Sequence, residues 1–243
     1  MDFGETIGLI TWRVWFPALI QGNHNYATTY DFPVRIKLIK NWKAPQDMNR
    51  EWAGWNIPEY VRAAQELEEE GVAAICTNCG LAGTMQENLT KAVNIPVFSS
   101  SLLQVPLVHR MLRKDRKVGI LTHSEERVKE QDYRLLRSCG IDESIPVVIY
   151  GMLESDHADV WRTQYPYVYK EAKTFDPRKV ETASVSVAKK MISENRDIGA
   201  IVLECTEMPI YAAAIQEATR LPVFDITTLV QYVYNAVVKK KYY

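Results

Sequence analysis

Short apolar runs rich in β-branched residues alternate along this chain with stretches whose apolar positions recur at helical spacing. That is the pattern of parallel strands joined by crossover helices. Eight runs read as strands: 6–11, 34–39, 72–77, 96–98, 118–122, 146–150, 198–203 and 222–224. Punctuation between them marks helices. Before the third run, Asn56 stands as an N-cap, Pro58 falls in the first turn and Gly71 closes the helix. Ser124, followed by Glu125 and Glu126, opens another helix with carboxylates at its positive end.

The pattern occurs twice. Laying residues 71–103 over 197–229 without a gap puts Ala74 and Ile75 on Ala200 and Ile201, Cys79 on Cys205, and Ala92 on Ala218. The same register sets Pro96, Val97 and Phe98 on Pro222, Val223 and Phe224, and Leu103 on Leu229. Upstream, Ile-Gly-Leu-Ile-Thr at 7–11 is echoed by Val-Gly-Ile-Leu-Thr at 118–122. The expected fold is therefore α/β, with two pseudo-twofold-related lobes. Each lobe is a four-stranded, mainly parallel sheet flanked by helices, and the active site lies in the cleft between them. The lobes divide as 1–104 plus 226–243, which adds a C-terminal helix to the first, and 105–225.

Each copy carries a cysteine just after its third strand. In open α/β sheets ligands bind outside the carboxyl ends of the strands, so Cys79 and Cys205 are expected to face each other across the cleft. The bland alternative is a duplication kept for stability, with cysteine serving as a small buried hydrophobe. Matched placement at two strand ends weighs against it.

Composition narrows the classes. The chain has 243 residues, 47% of them hydrophobic and 24% charged, as in ordinary globular proteins, which excludes disordered and fibrous classes. A formal charge of -1 offers no basic field for nucleic acid, and the one lysine run is 239–241. No apolar stretch approaches a membrane span and the N-terminus is acidic where a signal peptide is basic, so a cytoplasmic location is expected. Four cysteines make no disulfide framework at this length. Cys76 and Cys79 form a Cys-x-x-Cys, but no second pair or matching histidines complete a zinc set, and no metal or cofactor is expected. Asn88-Leu89-Thr90 is a glycosylation sequon, which matters only in a secreted protein.

At this point the residues resemble a family. Leu-Glu-Cys-Thr-Glu-Met-Pro at 203–209 is similar to the second-half motif of the aspartate/glutamate racemase superfamily, in which a strand ends in Cys-Thr followed by Glu or His. Cys205, Thr206 and Glu207 match it. The runs at 32–36, 77–81, 95–107 and 221–230 resemble a less characterised branch of that superfamily, and the likeness spans nearly the whole chain. The first half departs from the better-known Cys-Asn-Thr, reading Cys76, Thr77, Asn78, Cys79, Gly80. Cys76 and Cys79 compete for the motif position; the repeat register favours Cys79, because pairing Cys76 with Cys205 slips the alignment by three residues and turns the side chain to the other face.

The resemblance implies cofactor-independent inversion at the carbon beside a carboxylate or carbonyl of a small acid. One thiolate removes the proton from one face and one thiol delivers it on the other. An ordinary thiol titrates near about 8.5, so both are expected to be lowered by helix N-termini starting around Gly83 and Met208. Thr11, Asn78, Gly80, Ser99, Ser100, Thr122, Ser124, Thr206 and Glu207 are candidates to bind substrate oxygens. For the hydroxyl and amide residues helix capping is the alternative, the stronger one at Ser124. Glu207 either assists a thiol or sits solvated in a first turn, and His123 reads as a solvated histidine near a cysteine. All six tryptophans fall in the connections 12–32, 40–56 and 151–176, as lids or interface packing. The expected partner is a small carboxylate, with a homodimer or higher oligomer possible. Two other activities compete: decarboxylation of a malonate-type acid or cis-trans isomerisation of a diacid, and non-catalytic binding of a small molecule in the same cleft.

Overall fold

A computed structural model describes residues 5–12, 20–26, 28–39, 56–165 and 175–241. The elements run β1 (Ile7–Thr11), β2 (Val34–Leu38), α1 (Ile57–Glu69), β3 (Ala74–Thr77), then a 3-10 turn (Gly80–Met85) leading into α2 (Gln86–Thr90). After β4 (Val97–Phe98) a second 3-10 turn (Ser101–Gln104) enters α3 (Val105–Met111). The second half continues with β5 (Lys117–Thr122), α4 (Glu125–Ser138), β6 (Val147–Gly151), α5 (Ala158–Gln164), α6 (Pro177–Glu194) and β7 (Ile198–Leu203). A third 3-10 turn (Pro209–Tyr211) enters α7 (Ala212–Thr219), and β8 (Val223–Phe224) and α8 (Ile226–Val237) complete the order.

The strands form two four-stranded sheets of identical topology, β2-β1-β3-β4 and β6-β5-β7-β8, and every pairing is parallel. All eight expected strands are present, with no end displaced by more than two residues. The central strands β1 and β3 are buried along their whole length, as continuous apolar runs covered on both faces must be. The echoed glycines have a packing reason. A Cβ on Gly8 would lie 2.9 Å from Leu67 Cδ1 of α1, and one on Gly119 would lie 2.8 Å from Met191 Cε of α6. Each central strand therefore carries glycine where a helix crosses it closely.

Helix α1 shows how sequence becomes packing. Its Tyr60, Ala63, Ala64 and Leu67 recur at helical spacing and are all buried, while Pro58 opens it and Gly71 (φ 81°) lets the chain turn out. Asn56 is the cap residue by position, but its side chain makes no capping bond. Ser124 does cap α4, accepting from the Arg127 amide.

The two lobes exchange helices. Helix α3, which comes after β4, buries Val105 and Val108 among Val118, Ile120 and Val202 of the second sheet. Helix α8, which comes after β8, returns to the first sheet and packs Ile226, Leu229 and Val230 against Ile7, Leu9, Ala74, Cys76 and Phe98. Burying such aliphatic side chains stabilises by roughly 1.5–3 kcal/mol each, so the exchange ties the lobes together through their cores. One expectation fails. Trp161 lies in α5, fully buried, because that connection contains a helix of its own. Trp15, Trp42, Trp52 and Trp55 lie outside the described residues. No described helix is long and apolar enough to cross a membrane.

Candidate active site

The loops after β3 and β7 are built alike. The amide of Asn78 donates to Ile10 O at 3.1 Å, and the amide of Glu204, its counterpart in the repeat, donates to Leu121 O at 2.9 Å. The next residue in each loop is the cysteine. Cys79 O accepts from the Ala82 amide (2.9 Å) and Cys205 O from the Met208 amide (3.0 Å). Each sulfur is also held by the amide two residues on, of Leu81 and Glu207 respectively. Both cysteines keep partial exposure, while Cys76 and Cys139 are buried. The lobes are stitched at these loops: Thr206 Oγ1 donates to Asn78 O at 2.6 Å, and Ser101 Oγ to Leu203 O at 2.8 Å.

The expected depression of the thiols is overturned. Burial, then the Glu204 carboxylate, push Cys79 up to about 12, with Glu207 adding to the rise and Arg127 opposing it. Burial, Glu204 and Glu207 push Cys205 well above the ordinary thiol range, and a Cys79 thiolate would push it further. The physical reason lies in the loops. Each cysteine leads into a 3-10 turn, and the helix that turn opens has only five residues after Cys79. So little aligned backbone dipole does not outweigh desolvation and two nearby carboxylates.

The other candidate residues divide between the cleft and the caps. Thr11 and Thr122 end β1 and β5 and are buried, with Thr122 Oγ1 donating to Glu204 Oε2 at 2.7 Å. Gly80 presses on Glu204: a Cβ there would lie inside contact distance of the Glu204 backbone oxygen and Oε1, and 2.9 Å from Cδ. Asn78 is buried and its Oδ1 has no hydrogen-bond partner among the described residues. Ser99 Oγ donates to Gln86 Oε1 at 2.7 Å, Ser100 caps the turn at Leu102, and Ser124 caps α4 while donating to Glu154 Oε1 at 2.7 Å. Capping thus accounts for Ser100 and Ser124. Glu207 is no solvated carboxylate; it is buried and Oε2 accepts from Asn23 Nδ2 at 2.5 Å. His123 is buried as well, accepting from Trp161 Nε1 at 2.5 Å, and burial holds it down at about 3. Cys76, within β3, packs in the core shared with α8, its Sγ 3.4 Å from Gly8 O and 3.9 Å from His24 Nε2.

Four side chains that sequence reading passed over belong to the site. Glu204 is buried, and burial raises it to about 7. Arg127, on the first turn of α4, is buried and acts on Cys79, Glu204 and His123. Asn23 holds Glu207, and His24, kept neutral by burial at about 4, lies against Thr77 O at 3.0 Å and Tyr30 OH at 2.5 Å. Since a carbonyl only accepts, His24 Nε2 carries the proton and Tyr30 donates to Nδ1. A signal existed for Glu204 alone: the repeat register sets it opposite Asn78, already a candidate.

Comparison with known proteins agrees with this architecture. Residues 23–231 match the family described as Asp/Glu/Hydantoin racemase. "Dimethylsulfoniopropionate lyase 3" of Emiliania huxleyi is 29% identical over 228 residues, covering 87% of this chain and 54% of that protein. A "Dimethylsulfoniopropionate lyase" of Durusdinium sp. clade D is 28% identical over 159 residues, 65% of this chain and 50% of that one. The chain spans about half the length of these curated relatives. Among solved structures, an aspartate racemase homologue from Pyrococcus horikoshii superposes with TM-score 0.60 at 18% identity, covering 97% of this chain and all of that one (100%). Arylmalonate decarboxylase superposes with TM-score 0.57 at 15% identity over 96% of this chain and 92% of that one. At such identities these likenesses show the fold.

Proposed function

The chain belongs to the Asp/Glu/Hydantoin racemase family, and from that premise we propose that it removes the proton from the carbon beside a carboxylate and expels a positively charged group from the next carbon. Dimethylsulfoniopropionate is the substrate type. The observation that carries this reading is the anionic lining of the cysteine loops. Glu204 and Glu207 both raise both thiols, and at Cys79 the Arg127 guanidinium opposes them. A dianion such as a malonate would meet repulsion there, and aspartate, with two carboxylates to one ammonium, still carries a net negative charge. A zwitterion with a sulfonium centre brings the missing positive charge and relieves it. The similarity to lyases over 87% of the chain points the same way.

Arg127 is among the main influences on Cys79, which it lowers, while the main influences on Cys205 besides burial are the two carboxylates, which raise it. Cys79 is the base. Its thiolate takes the α-proton, the C–H electron pair becomes the new carbon–carbon double bond, and the carbon–sulfur bond breaks with its electrons leaving on a neutral sulfide. Cys205 stays a thiol and donates to the developing enolate from the other side. Racemisation is the second reading, favoured by the register-matched pair of cysteines, since a two-base exchange uses both equally.

The test is incubation in deuterium oxide with dimethylsulfoniopropionate and a panel of amino acids, hydantoins and substituted malonates. Release of sulfide with an unsaturated acid is the expected result. Deuterium wash-in without elimination selects racemisation, and carbon dioxide release selects decarboxylation. No reaction across the panel sinks the enzymatic reading and favours a binding protein.

A further inference from the structure

Asn23 and His24 are neighbours in sequence and both are buried, yet their side chains hold different lobes. Asn23 Nδ2 donates to Glu207 Oε2, in the loop after Cys205, at 2.5 Å, while His24 Nε2 donates to Thr77 O, at the end of β3, at 3.0 Å. The turn that carries them is fixed from within. The Asn23 amide donates to Ile20 O (2.9 Å), and Asn23 O accepts from the Tyr26 amide (3.0 Å) and from Thr29 Oγ1 (2.6 Å). It is also fixed from both sides. Tyr30 braces His24 through Nδ1 and stacks on Phe32, which stacks in turn on Tyr234 of α8. Gly22, at φ 95°, lies against the turn that follows the second cysteine loop, where a Cβ would be 3.1 Å from Ile210 Cγ2.

Orientation gives the Asn23 contact its chemical meaning. Asn23 Oδ1 accepts from the Asn25 amide at 2.9 Å, and a backbone amide only donates, so Asn23 presents its NH2 group to Glu207. A donor on that oxygen favours the ionised carboxylate, and such charge-assisted bonds are the strong ones. We propose that Asn23 sets the charge preference of the site: by fixing Glu207 as an anion beside Cys205, it makes the cleft select a small acid whose leaving group is positively charged. Asn23 acts through Glu207 and not on the substrate, so it is a positioning residue. The inference rests on the sulfonium reading of the substrate and deepens it.

Placement suits the role. Glu207 stands two residues past Cys205, and its own amide holds the Cys205 sulfur, so a shift of the carboxylate and a shift of the thiol are linked through one short loop. The other buried carboxyls are engaged differently: Asp225 is taken up by the capping box of α8, and Glu204 accepts from Thr122 of its own lobe. Glu207 is tied to a side chain anchored at the end of β3, the strand that leads to Cys79. The dipeptide Asn23-His24 thereby fixes the anion relative to both cysteine loops.

The test needs no substrate. Cys205 is labelled near pH 6 with two methanethiosulfonates of similar size, one ending in a trimethylammonium cation and the other in a sulfonate anion, and site-resolved mass spectrometry follows each. The ratio of the two rates, divided by the same ratio for a small thiol in solution, cancels the ionisation of the cysteine and reads the local charge. At this pH Glu204, which titrates at about 7, is largely protonated, so the preference that remains belongs to Glu207. The native chain is expected to favour the cation about tenfold or more. Asn23→Ser, whose hydroxyl still accepts from the Asn25 amide but is too short to reach Glu207, loses most of that preference. Asn23→Gly serves if the serine variant does not fold. Glu207→Gln loses the preference as well, and adding Asn23→Ser to it changes the ratio no further. A native ratio equal to that of the small thiol, a preference that survives in Asn23→Ser or Glu207→Gln, or a further fall in the double variant overturns the proposal. A merely structural Asn23 lowers melting and speeds both reagents alike, leaving the ratio unmoved. If the ratio behaves as expected but dimethylsulfoniopropionate is not cleaved, it is the assigned elimination that fails, not the charge selection.

Discussion

The two lobes carry the same fold and the same cysteine but not the same neighbours. The first ends its third strand in Asn78, Cys79, Gly80; the second ends it in Glu204, Cys205, Thr206. Backbone geometry is repeated, down to the amide that holds each sulfur. Chemistry is not, because a neutral amide in one copy is a carboxyl in the other, and a missing Cβ in one is a hydroxyl in the other. The substitutions interlock across the cleft: Gly80 leaves the space that the Glu204 carboxyl fills, and Thr206 donates to the carbonyl of Asn78. A duplicated scaffold has thus become asymmetric where its two copies meet. The asymmetry gives the two thiols different electrostatic surroundings, with Arg127 among the main influences on the first.

The largest effects test whether both copies are needed. Cys79→Ser and Cys205→Ser are each expected to lower turnover about 10²–10⁴-fold, the usual worth of a positioned acid or base, while Cys76→Ser keeps most of it. A dead Cys76→Ser with an active Cys79→Ser would show that the repeat register misidentifies the first cysteine. If Cys205→Ser alone is mild, the reaction uses one thiol, and elimination gains over racemisation.

Next comes the pH dependence of stability, where the buried groups pull in opposite directions. Glu204 titrates at about 7 in the fold against an ordinary 4.5. Between those values the folded state holds a proton that the unfolded chain has released, so stability falls as pH rises through that window. The full loss is on the order of 3 kcal/mol. His24 and His123, held down to about 4 and about 3 from 6.5, do the reverse: stability falls as pH drops below 6.5. Denaturant midpoints across pH 4–8 for the native chain and Glu204→Gln isolate the first contribution as a difference. If the two curves run parallel, the carboxyl is not buried as an acid.

How much of this was legible beforehand differs by level. All eight strands could be read: the central ones are apolar runs in a doubly covered sheet, and the edge strand β2 alternates apolar Val34, Ile36 and Leu38 with Arg35 and Lys37. The choice of Cys79 over Cys76 came from register, and Cys76 sits in β3 facing the core shared with α8. The ionisation of the thiols was not legible. Proximity to a helix start is a local feature of sequence, whereas the desolvation and the Glu204 charge that act on Cys79 come from the other lobe. Asn23, His24 and Arg127 were missed for the same reason: each reaches its partner over a long sequence separation, as Asn23 does to Glu207. Trp161 was read as loop because α5 is only seven residues long.

Gly80→Ala sharpens the comparison by making the first loop less able to receive the second. The new methyl meets the Glu204 backbone oxygen as well as its side chain, so relief requires movement of the strand end. A loss of about 1–3 kcal/mol is expected, read as a melting temperature lower by roughly 2–4 °C for each kcal/mol. Turnover should fall with it, since Cys79 is the adjacent residue. An alanine variant of native stability would mean the lobes sit further apart than described.

The smallest effect concerns the hydroxyl that faces the other way. Thr206→Val keeps the shape and burial of the side chain but removes the donor to Asn78 O, a hydrogen bond of 2.6 Å. The carbonyl left behind is buried at the junction, so the cost is about 1–2 kcal/mol. Ser101→Ala removes the reciprocal bond, from the first lobe to Leu203 O at 2.8 Å, at a similar cost. The double variant separates two pictures of the cleft. If the bonds are independent, the losses add. If both report one closure of lobe on lobe, the second removal costs less than the first, since the junction has already loosened. Less-than-additive loss, accompanied by faster iodoacetamide alkylation of both Cys79 and Cys205, would make the junction a single cooperative latch over the two thiols; strict additivity with unchanged alkylation would leave it as two separate pins.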